Sequence, residues 1–317
     1  MNTKRRVLVT GSTGFIGRHV VAALPGCDVT AVLRDGVAPP GVSRTIRIGT
    51  LDGATDWTAA LDGIDAVIHL AGIAHRPARS PADEDAYAAV NTRGTLRLAE
   101  AAEAAGVRDF VFASSIAVHG TNTEGRGPFR ESDPLLPAGP YGASKARAED
   151  GLAALAARSA MAVTALRPPL VHGRGAPGNI ARLEAAIRRG VPLPLASVRN
   201  RRAFLGVANL ADFVAWRLGR ANHGYEPFIL ADAAQPATPE FVRLLAAAMD
   251  RRVRLVPFPP AILRRALVAS GREAMAEGLL ASLEVDTGKV EAAGWRPPLG
   301  LAEGLRAAWR PAQSTVA

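Results

Sequence analysis

The chain contains almost no cysteine and no long apolar run, and both absences narrow what it can be. Cys27 is the one cysteine among 317 residues, so an intrachain disulfide framework is excluded and we expect a reducing, cytoplasmic environment. No stretch approaches the roughly 18 uncharged apolar residues of a membrane-spanning helix, and the apolar run behind the basic N-terminus is too short for a signal peptide. With one cysteine and no His/Cys/Asp cluster at ligand spacing, we also predict no metal site.

Aromatic residues and lysine are scarce as well, although the chain is strongly basic. Aromatic residues make up 5% of the sequence, and the lysines are Lys4, Lys145 and Lys289. The net charge of +9 and the isoelectric point of about 10.8 therefore come from arginines that are spread along the chain. A nucleic-acid-binding surface concentrates its basic residues on one face, with aromatic side chains for base stacking. We therefore expect no nucleic-acid partner.

Short apolar segments alternate with alanine-rich helical stretches. The apolar segments mostly lack the alternation of a half-exposed strand, which is typical of parallel strands buried on both faces. This order of elements predicts an α/β fold, a Rossmann-type doubly wound parallel sheet with its ligand crevice at the carboxyl ends of the strands. The predicted strands are 7–10, 29–33, 45–48, 66–70, 110–113 and 161–166, and the predicted helices are 16–24, 57–61, 84–105 and 141–158.

A glycine-rich motif joins the first predicted strand to the first predicted helix. Its spacing is G-x-x-G-x-x-G, and not the G-x-G-x-x-G of long-chain dehydrogenases. Glycines permit a tight turn and a close approach of the backbone to phosphate, while the following helix N-terminus favours negative charge. The motif predicts a dinucleotide cofactor, NADP(H) or NAD(H), with contacts at Gly11, Thr13, Gly14, Phe15, Ile16 and Gly17.

The ends of the second and fourth predicted strands extend this cofactor site. Arg34 follows the second strand and suits a 2′-phosphate, which favours NADP(H). The adjacent Asp35 leaves NAD(H) open, because an acid there would bind ribose hydroxyls. His69 ends the fourth strand, and we interpret it as a hydrogen-bonded strand-end histidine and not a catalyst. The residues after it, which would let the backbone approach the cofactor, are Leu70, Ala71 and Gly72.

Tyr141 and Lys145 are the candidate catalytic pair. They are four residues apart on a helical pattern and therefore share one face. A lysine ammonium favours the phenolate, so we predict that Lys145 lowers the pKa of Tyr141 towards the range useful in acid–base catalysis. Ser115 closes the fifth predicted strand, at the rim of the crevice. Its hydroxyl could hold a substrate oxygen while Tyr141 exchanges the proton.

The composition changes after about residue 168, where proline becomes frequent and helices dominate. We predict an NAD(P)-binding Rossmann domain over residues 1–168. Residues 169–312 are predicted to form a smaller, mainly helical substrate-capping part that is partly interleaved with the first domain. Residues 313–317 are predicted to be a loose tail.

These motifs resemble the extended short-chain dehydrogenase/reductase family, which includes NAD(P)-dependent nucleotide-sugar epimerases and dehydratases. The resemblance runs from residue 6 to about residue 300 and includes blocks at 69–72, 91–95, 114–120, 141–145 and 166–173. It implies Ser115, Tyr141 and Lys145 as the catalytic set, with Tyr141 and Lys145 also touching the cofactor. It further implies cofactor contacts at Leu51 and Pro169, and a backbone-positioning role for Asn91.

Two features narrow the branch of the family. Sugar 4,6-dehydratases carry an Asp-Glu pair directly after the catalytic hydroxyl residue, and Ile116 and Ala117 stand there in this chain. The segments around Asn179 and Arg202 resemble the family's UDP-binding segments, so both side chains are implied as substrate contacts. The chain is therefore similar to the enzymes that act at carbon 4 of UDP-linked sugars in surface polysaccharide synthesis, the 4-epimerases and the 4-keto reductases.

Several alternatives remain open at this point. Arg34 tilts the choice slightly towards a 4-keto reductase, and a reductase of a non-sugar ketone or a non-catalytic NAD(P)-binding sensor would also fit the motifs. His119 replaces the tyrosine of the family's Val-Tyr-Gly, either as a packing change or as a change in substrate fit. The second diphosphate-binding arginine of the family has no match near residues 272–290. The family also implies a homodimer formed through helices that include the Tyr141 helix.

Overall fold

The structure, a computed structural model, describes residues 4–74 and 80–309; the predicted tail at 313–317 lies outside these residues. Its centre is a parallel sheet of seven strands in the order β3-β2-β1-β4-β5-β6-β9. β1 (Arg5–Thr10) lies between β2 (Cys27–Leu33) and β4 (Ala66–His69). The strand order reverses between β1 and β4, and open α/β sheets bind their ligands beyond the carboxyl ends at this point. The predicted Rossmann-type fold class is confirmed.

Helices cover this sheet and are the main regular elements in the second half of the chain. The other strands are β3 (Arg44–Arg47), β5 (Asp109–Ala113), β6 (Ala162–Arg167), β7 (Leu170–His172), β8 (Phe204–Gly206) and β9 (Tyr225–Ile229). The helices of the first half are α1 (Phe15–Ala22), α2 (Thr58–Leu61), α3 (Pro81–Tyr87), a π-helical segment (Ala88–Gly94), α4 (Thr95–Ala104), a 3-10 turn (Ile116–Val118) and α5 (Gly139–Ala156). Those of the second half are α6 (Asn179–Arg188), α7 (Val207–Leu218), α8 (Thr238–Ala248), α9 (Pro260–Ala269), α10 (Glu273–Leu280), α11 (Gly288–Ala292) and α12 (Leu301–Trp309).

Successive residues of β1 belong to two different cores, which explains why its sequence is apolar without alternation. Val7 and Val9 pack in a first core together with Val20 of α1 and Phe213 of α7. Leu8 points to the opposite face and packs in a second core with side chains of α4 and α5. Burying an aliphatic side chain of this size contributes about 1.5–3 kcal/mol. Both faces of β1 are therefore stabilised by burial, as a doubly wound sheet requires.

The predicted helix over residues 84–105 is helical throughout but is divided into three parts. α3 begins after Ser80, whose hydroxyl accepts the Asp83 N–H at 3.3 Å and caps the helix. The π-helical segment follows, and α4 completes the stretch. A π-helix shifts the backbone bonds from i→i+4 to i→i+5 and often occurs at functional sites. Apolar periodicity does not reveal such a shift, because it changes the backbone pairing and leaves the residue types unaltered.

A third core lies away from the sheet, among α6, α8 and α12. Phe204 and Phe241 stack there with ring centroids 3.9 Å apart, and Ile180 and Leu245 are fully buried beside them. The chain beyond residue 168 also returns to the main sheet, because β9 pairs in parallel with β6. The chain therefore leaves the sheet after β6 and returns to it at β9. A cleft lies between the sheet and the helical part.

Candidate active site

A cleft of 660 Å³ opens at the carboxyl ends of the central strands. One wall is formed by residues that follow β1, β4, β5 and β6, and the opposite wall by α10 and neighbouring segments of the helical part. This is the edge of the sheet where the topology predicts a ligand. The sequence-predicted site residues that line it are Phe15, Ile16, Leu70, Gly72, Ser115, Tyr141, Lys145, Pro169 and Arg202.

The glycine motif forms a turn too tight for side chains. Gly11 has φ 71°, and a Cβ on it would lie 2.7 Å from the Ala71 backbone nitrogen. A Cβ on Gly17 would lie 2.1 Å from the Gly11 carbonyl oxygen. Gly14 is the N-cap of α1 and its N–H donates to the Gly11 carbonyl at 3.0 Å. The glycines therefore bring α1, β1 and the end of β4 together in van der Waals contact.

This turn fits the pyrophosphate of a dinucleotide. No side chain caps the N-terminus of α1, so its first backbone N–H groups are available to an anion. Phe15 and Ile16 begin that helix and line the cleft, while Thr13 is exposed on the turn. The absent Cβ atoms leave a backbone cradle, and the helix dipole adds positive potential to it. The residues present therefore fit the cofactor that the motif predicts.

The predicted adenosine-side contacts lie outside the cleft proper. Arg34 and Asp35 follow the end of β2 and pair with each other at 3.3 Å, both largely exposed. Leu51 follows β3 and packs against Gly94, where a Cβ would lie 3.3 Å from the Leu51 side chain. The carboxyl end of β2 lies next to that of β1. Arg34 is thus near the glycine turn and free to rearrange, since a surface ion pair contributes little.

Ser115, Tyr141 and Lys145 meet at the cleft, although two different elements supply them. Ser115 follows β5, where it caps the 3-10 turn by accepting the Ala117 N–H at 3.2 Å. Tyr141 and Lys145 lie on the first turns of α5. Gly142 allows this approach, because a Cβ there would lie 2.6 Å from the Ala117 carbonyl oxygen. The order β5–turn–α5 therefore brings a hydroxyl, a phenol and an amine to one surface.

The predicted direction of the Tyr141 pKa shift is wrong. Burial raises the pKa of Tyr141, the hydrogen bond with Ser115 opposes this shift, and the nearby Tyr87 adds to it. Lys145 is not a cause of the shift, because its ammonium is engaged elsewhere: it donates to the Ala113 carbonyl at 2.7 Å and lies 4.5 Å above the Phe112 ring. Tyr141 is therefore a neutral phenol, ready to donate a proton.

Lys145 is the group that titrates near neutral pH. Its side chain is buried, and burial lowers the pKa of Lys145 to about 8, while the Glu149 carboxylate raises it. The Nζ atom is also close to Gly72, where a Cβ would lie 3.4 Å away. Lys145 therefore lies between the segments that follow β4 and end β5, in the wall of the cleft.

His69 is a buried, neutral link between strands, as interpreted from the sequence. Its Nε2 pairs with the Thr95 hydroxyl at 3.0 Å, and that hydroxyl donates to the Asn91 carbonyl at 2.7 Å. Nε2 must therefore be the donor, and Nδ1 accepts from the Thr10 hydroxyl at 2.7 Å. Burial, and secondarily the charge of Lys145, lowers the pKa of His69 to about 3. His69 consequently stays uncharged at all working pH values.

Asn91 connects this link to the catalytic helix. Its side-chain oxygen accepts the Ile73 N–H at 2.8 Å, and its amide nitrogen donates to the Ile73 carbonyl at 2.9 Å. The same nitrogen donates to the Ser144 hydroxyl at 3.0 Å, which in turn donates to the Tyr141 carbonyl at 2.8 Å. Asn91 thus holds the end of β4 and the first turn of α5 in one arrangement.

A buried carboxylate lies one helical turn beyond Lys145. Glu149 is 1% exposed and pairs with Arg167 of β6, whose Nε donates to Glu149 Oε2 at 3.0 Å. Ser114 and Tyr225 also donate to it. Such a pair costs free energy of desolvation and is retained only with saturated hydrogen bonding, as here. Glu149 therefore anchors α5 to β5, β6 and β9, and places a negative charge behind Lys145.

His119 is a packing residue, so the first of the two interpretations offered by the sequence applies. Its ring stacks on Phe129 with centroids 5.5 Å apart, and the side chain is 2% exposed. Nε2 accepts from Arg167 at 3.0 Å, which leaves Nδ1 to donate towards the Pro134 carbonyl at 3.4 Å. Burial and the Arg167 charge both lower the pKa of His119. It does not face the cleft.

Arg202 is a largely buried arginine that lines the cleft. Its Nη1 donates to the carbonyls of Glu277 and Ala281 at 2.9 and 2.7 Å, and burial lowers its pKa to about 10. Its Nε is buried without a hydrogen-bond partner. Buried donors of this kind are costly unless satisfied. Arg202 lines the cleft, while its unpaired Nε is buried.

Asn179 reaches the cleft only through a neighbouring residue. It begins α6, and its Nδ2 is so close to Gly278 that a Cβ there would lie 2.2 Å away. Gly278 lines the cleft, but Asn179 itself does not. Among the residues that line the cleft, sequence reasoning missed the contributions of α10. These are Glu273, Ala274, Glu277 and Gly278, and no local motif marks them, since tertiary packing alone brings α10 to the cleft.

The described part of the chain lacks two features that would point to other kinds of function. Within residues 4–74 and 80–309, no group of three or more His, Cys, Asp or Glu side chains is arranged to hold a metal ion. No helix in those same ranges combines the length and apolar character needed to cross a bilayer.

Comparisons with known proteins identify relatives over nearly the whole chain. The profile of the NAD dependent epimerase/dehydratase family matches residues 7–230. The chain is similar to a UDP-glucose 4-epimerase of Vibrio cholerae, 33% identical over 95% of this chain and 94% of that protein. An N-acetyl-α-D-glucosaminyl-diphospho-ditrans,octacis-undecaprenol 4-epimerase of Escherichia coli O157:H7 is 26% identical over 94% and 92%. The solved structure of MoeE5 in complex with UDP-glucuronic acid and NAD matches with a TM-score of 0.78 and 29% identity, over 96% of this chain and 97% of that one.

Proposed function

Because this chain belongs to the NAD-dependent epimerase/dehydratase family, we propose that it is an enzyme that inverts carbon 4 of a UDP-sugar. The observation that carries the proposal is the meeting of Ser115, Tyr141 and Lys145 in one cleft that begins at a dinucleotide turn. The relatives named as UDP-glucose 4-epimerase and MoeE5 with UDP-glucuronic acid support the substrate class. The absence of an acidic pair at Ile116 and Ala117 argues against dehydration.

The catalytic residues divide the work between proton transfer and positioning. A bound nicotinamide would accept and return the hydride at carbon 4. Tyr141 takes the proton of the carbon-4 hydroxyl as the hydride leaves and gives it back when the ketone is reduced on its other face. Ser115 donates a hydrogen bond to the same oxygen, where negative charge develops. Because burial raises the pKa of Tyr141, its phenol must first lose a proton to solvent before the phenolate can take the proton of the carbon-4 hydroxyl.

Lys145 and the glycine turn are proposed to hold the cofactor. The turn Gly11, Gly14 and Gly17 would bind the pyrophosphate, and Lys145 the nicotinamide ribose, with Leu70, Gly72 and Pro169 around the ring. At the adenosine side we propose contacts from Arg34 and Leu51. In the opposite wall of the cleft, Arg202 would offer its guanidinium to the diphosphate, and Asn179 would reach it beside Gly278.

Deprotonation of Lys145 should cause the loss of activity at high pH, and Glu149 should set the pH at which this loss occurs. The Glu149 carboxylate raises the pKa of Lys145, so Glu149→Gln should lower that pKa further below about 8. The ammonium would then be lost at lower pH, and the basic limb of kcat/KM against pH should move downwards. Arg167 would also lose its charge partner, at a cost in stability of about 3–5 kcal/mol.

The matched control for this prediction is Asp150→Asn, one residue further along α5 on its exposed side. It removes the same charge from the helix but should leave the basic limb in place, because solvent screens it. An unchanged pH profile in Glu149→Gln, measured at a temperature where both variants are folded, would show that Lys145 does not set this limit.

The proposed function is tested by incubating the purified protein with UDP-glucose or UDP-N-acetylglucosamine without added cofactor. Hydride returns to the substrate in each turnover, so an enzyme that retains NAD should convert the sugar to an equilibrium mixture of carbon-4 epimers, measured by proton NMR. A protein that forms no epimer even with added NAD is not a UDP-sugar 4-epimerase.

A second candidate is a 4-keto reductase, favoured by one observation. Arg34 stands exposed behind β2, where a guanidinium suits the 2′-phosphate of NADPH. A reductase consumes its reduced cofactor in each turnover. Oxidation of NADPH that depends on a UDP-4-keto sugar, together with no epimer formation in the assay above, would select this candidate. We further propose a homodimer that includes α5, to be checked by light scattering at the column outlet.

A further inference from the structure

The segment between α8 and α10 is basic. Residues 251–272, here called the basic segment, contain six arginines and no acidic residue. Residues 185–211 also contain five arginines and no acidic residue, and the basic segment differs from them in the number of apolar side chains that it exposes. A block of like charge with apolar residues between the charges is typical of surfaces that bind anionic interfaces. The arginines of the basic segment are Arg251, Arg252, Arg254, Arg264, Arg265 and Arg272.

The helix of the basic segment turns an apolar face to solvent. No residue of α9 is fully buried. Ile262 is 53% exposed and Val268 44% exposed, and Phe258, just before the helix, is 38% exposed. These are three of the six exposed large apolar side chains in the described ranges 4–74 and 80–309. The exposed face is completed by Arg265, with alanines between.

The opposite face of α9 fixes the helix to the body of the protein. Leu263 and Leu267 pack against the third core. Arg264 turns inwards and pairs with Glu277 at 2.8 Å and with Glu124 at 3.2 Å. The inner face of α9 therefore holds the helix in place, and its outer face exposes Ile262 and Val268 beside Arg265.

α9 also lies beside the opening of the candidate active site. Glu277, the partner of Arg264, lines the cleft on α10. Arg272 connects the two helices directly. A surface bound along α9 would therefore be next to the wall of the cleft, at the end of it where Arg202 lies.

We propose that the basic segment is a docking surface for an anionic lipid bilayer. Apolar side chains on the outer face of an amphipathic helix insert at the boundary between headgroups and acyl chains, and arginines beside them attract anionic headgroups. Nucleic acid would instead require aromatic stacking groups, and Phe258 is the one aromatic residue of the basic segment. The proposal does not depend on the reaction catalysed.

Cosedimentation with vesicles tests the proposal. The full chain should pellet with vesicles made of equal parts phosphatidylcholine and phosphatidylglycerol, and not with phosphatidylcholine alone. Replacing the apolar face in Ile262→Ser/Val268→Ser, or reversing a charge in Arg265→Glu, should weaken binding about ten-fold or more. All three side chains are exposed, and circular dichroism should show an unchanged fold.

Two control variants test whether vesicle binding depends on the basic segment or only on the net charge and the total exposed apolar area of the protein. Arg158→Glu is the control for Arg265→Glu, because it changes the net charge equally at an exposed position outside the basic segment. Val37→Ser/Val191→Ser is the control for the apolar double variant, because it removes two exposed apolar side chains elsewhere. Both should bind vesicles within about two-fold of the unaltered protein.

The proposal is wrong if the protein does not bind the anionic vesicles, or if Arg158→Glu and Arg265→Glu lose binding equally. It is also wrong if Ile262→Ser/Val268→Ser binds vesicles unchanged, or if this double variant dissociates a dimer while vesicle binding persists. Tighter binding to a single-stranded RNA than to vesicles would assign the basic segment to nucleic acid and also overturn it. Epimerisation is measured separately without lipid, so failure of either proposal leaves the other result readable.

Discussion

Tyr141→Phe should abolish most turnover while the protein still binds its cofactor. The substitution removes one hydroxyl and keeps the ring, which packs edge-on against Tyr87 with centroids 6.1 Å apart. Without that hydroxyl the group proposed to exchange the carbon-4 proton is lost, while Ser115 can still hold the oxygen. Loss of a general acid–base group costs about 10²–10⁴-fold. We expect a loss of kcat of this size, measured as epimer formation, with little change in KM.

Tyr87→Phe is the matched control for this prediction. It also removes a tyrosine hydroxyl next to the cleft, and Tyr87 raises the pKa of Tyr141. Its removal should therefore change kcat at most severalfold. Cofactor binding by fluorescence titration should be the same for both variants. If Tyr141→Phe turned over at a rate close to that of the unaltered protein, the proton would have to move through another group and the proposed mechanism would be wrong.

Gly17→Ala should weaken cofactor binding by moving a helix. A methyl group at Gly17 would lie 2.1 Å from the Gly11 carbonyl oxygen and 2.7 Å from Ser12 Cα, and both are backbone atoms that cannot rotate away. α1 must then withdraw from the turn, which removes its N–H groups from the pyrophosphate site. Overpacking of this kind costs about 1–3 kcal/mol of stability. We expect a melting temperature several degrees lower and cofactor affinity weaker by at least about ten-fold.

Gly26→Ala provides the comparison for that change. It lies beyond the end of α1, no atom lies within 4 Å of the position that its Cβ would take, and its φ is not in the left-handed region. The melting temperature and the affinity for NADH should therefore match those of the unaltered protein. Normal cofactor affinity in Gly17→Ala would mean that the pyrophosphate lies somewhere other than the glycine turn.

The glycine turn could be predicted from the sequence more completely than the assembly of Ser115 and Tyr141. The glycine turn is local: its strand, its spacing and its helix are consecutive, so their geometry follows from residues 5–22 alone. The catalytic set is not local, because Ser115 and Tyr141 come from different elements. Its assembly was predictable only because parallel strands end at a common edge.

Electrostatics could not be predicted from spacing. The four-residue interval between Tyr141 and Lys145 predicted a lowered tyrosine pKa, but burial raises it, and the Lys145 ammonium is bound to the Ala113 carbonyl. Burial and hydrogen-bond partners are supplied by elements distant in sequence. The same is true of Glu149, whose influence on Lys145 depends on Arg167 and Tyr225 holding it in place.

The sequence by itself predicted the order of the first six strands, the dinucleotide turn and the candidate catalytic side chains, because each depends on periodicity or on residues close together in the chain. The tertiary structure alone decided which residues close the cleft opposite them. α10 reaches Arg202 through carbonyl contacts at Glu277 and Ala281, and α9 faces solvent, because of how the third core packs. Packing between segments that are distant in sequence produces no local sequence pattern, so it can be seen only in the tertiary structure.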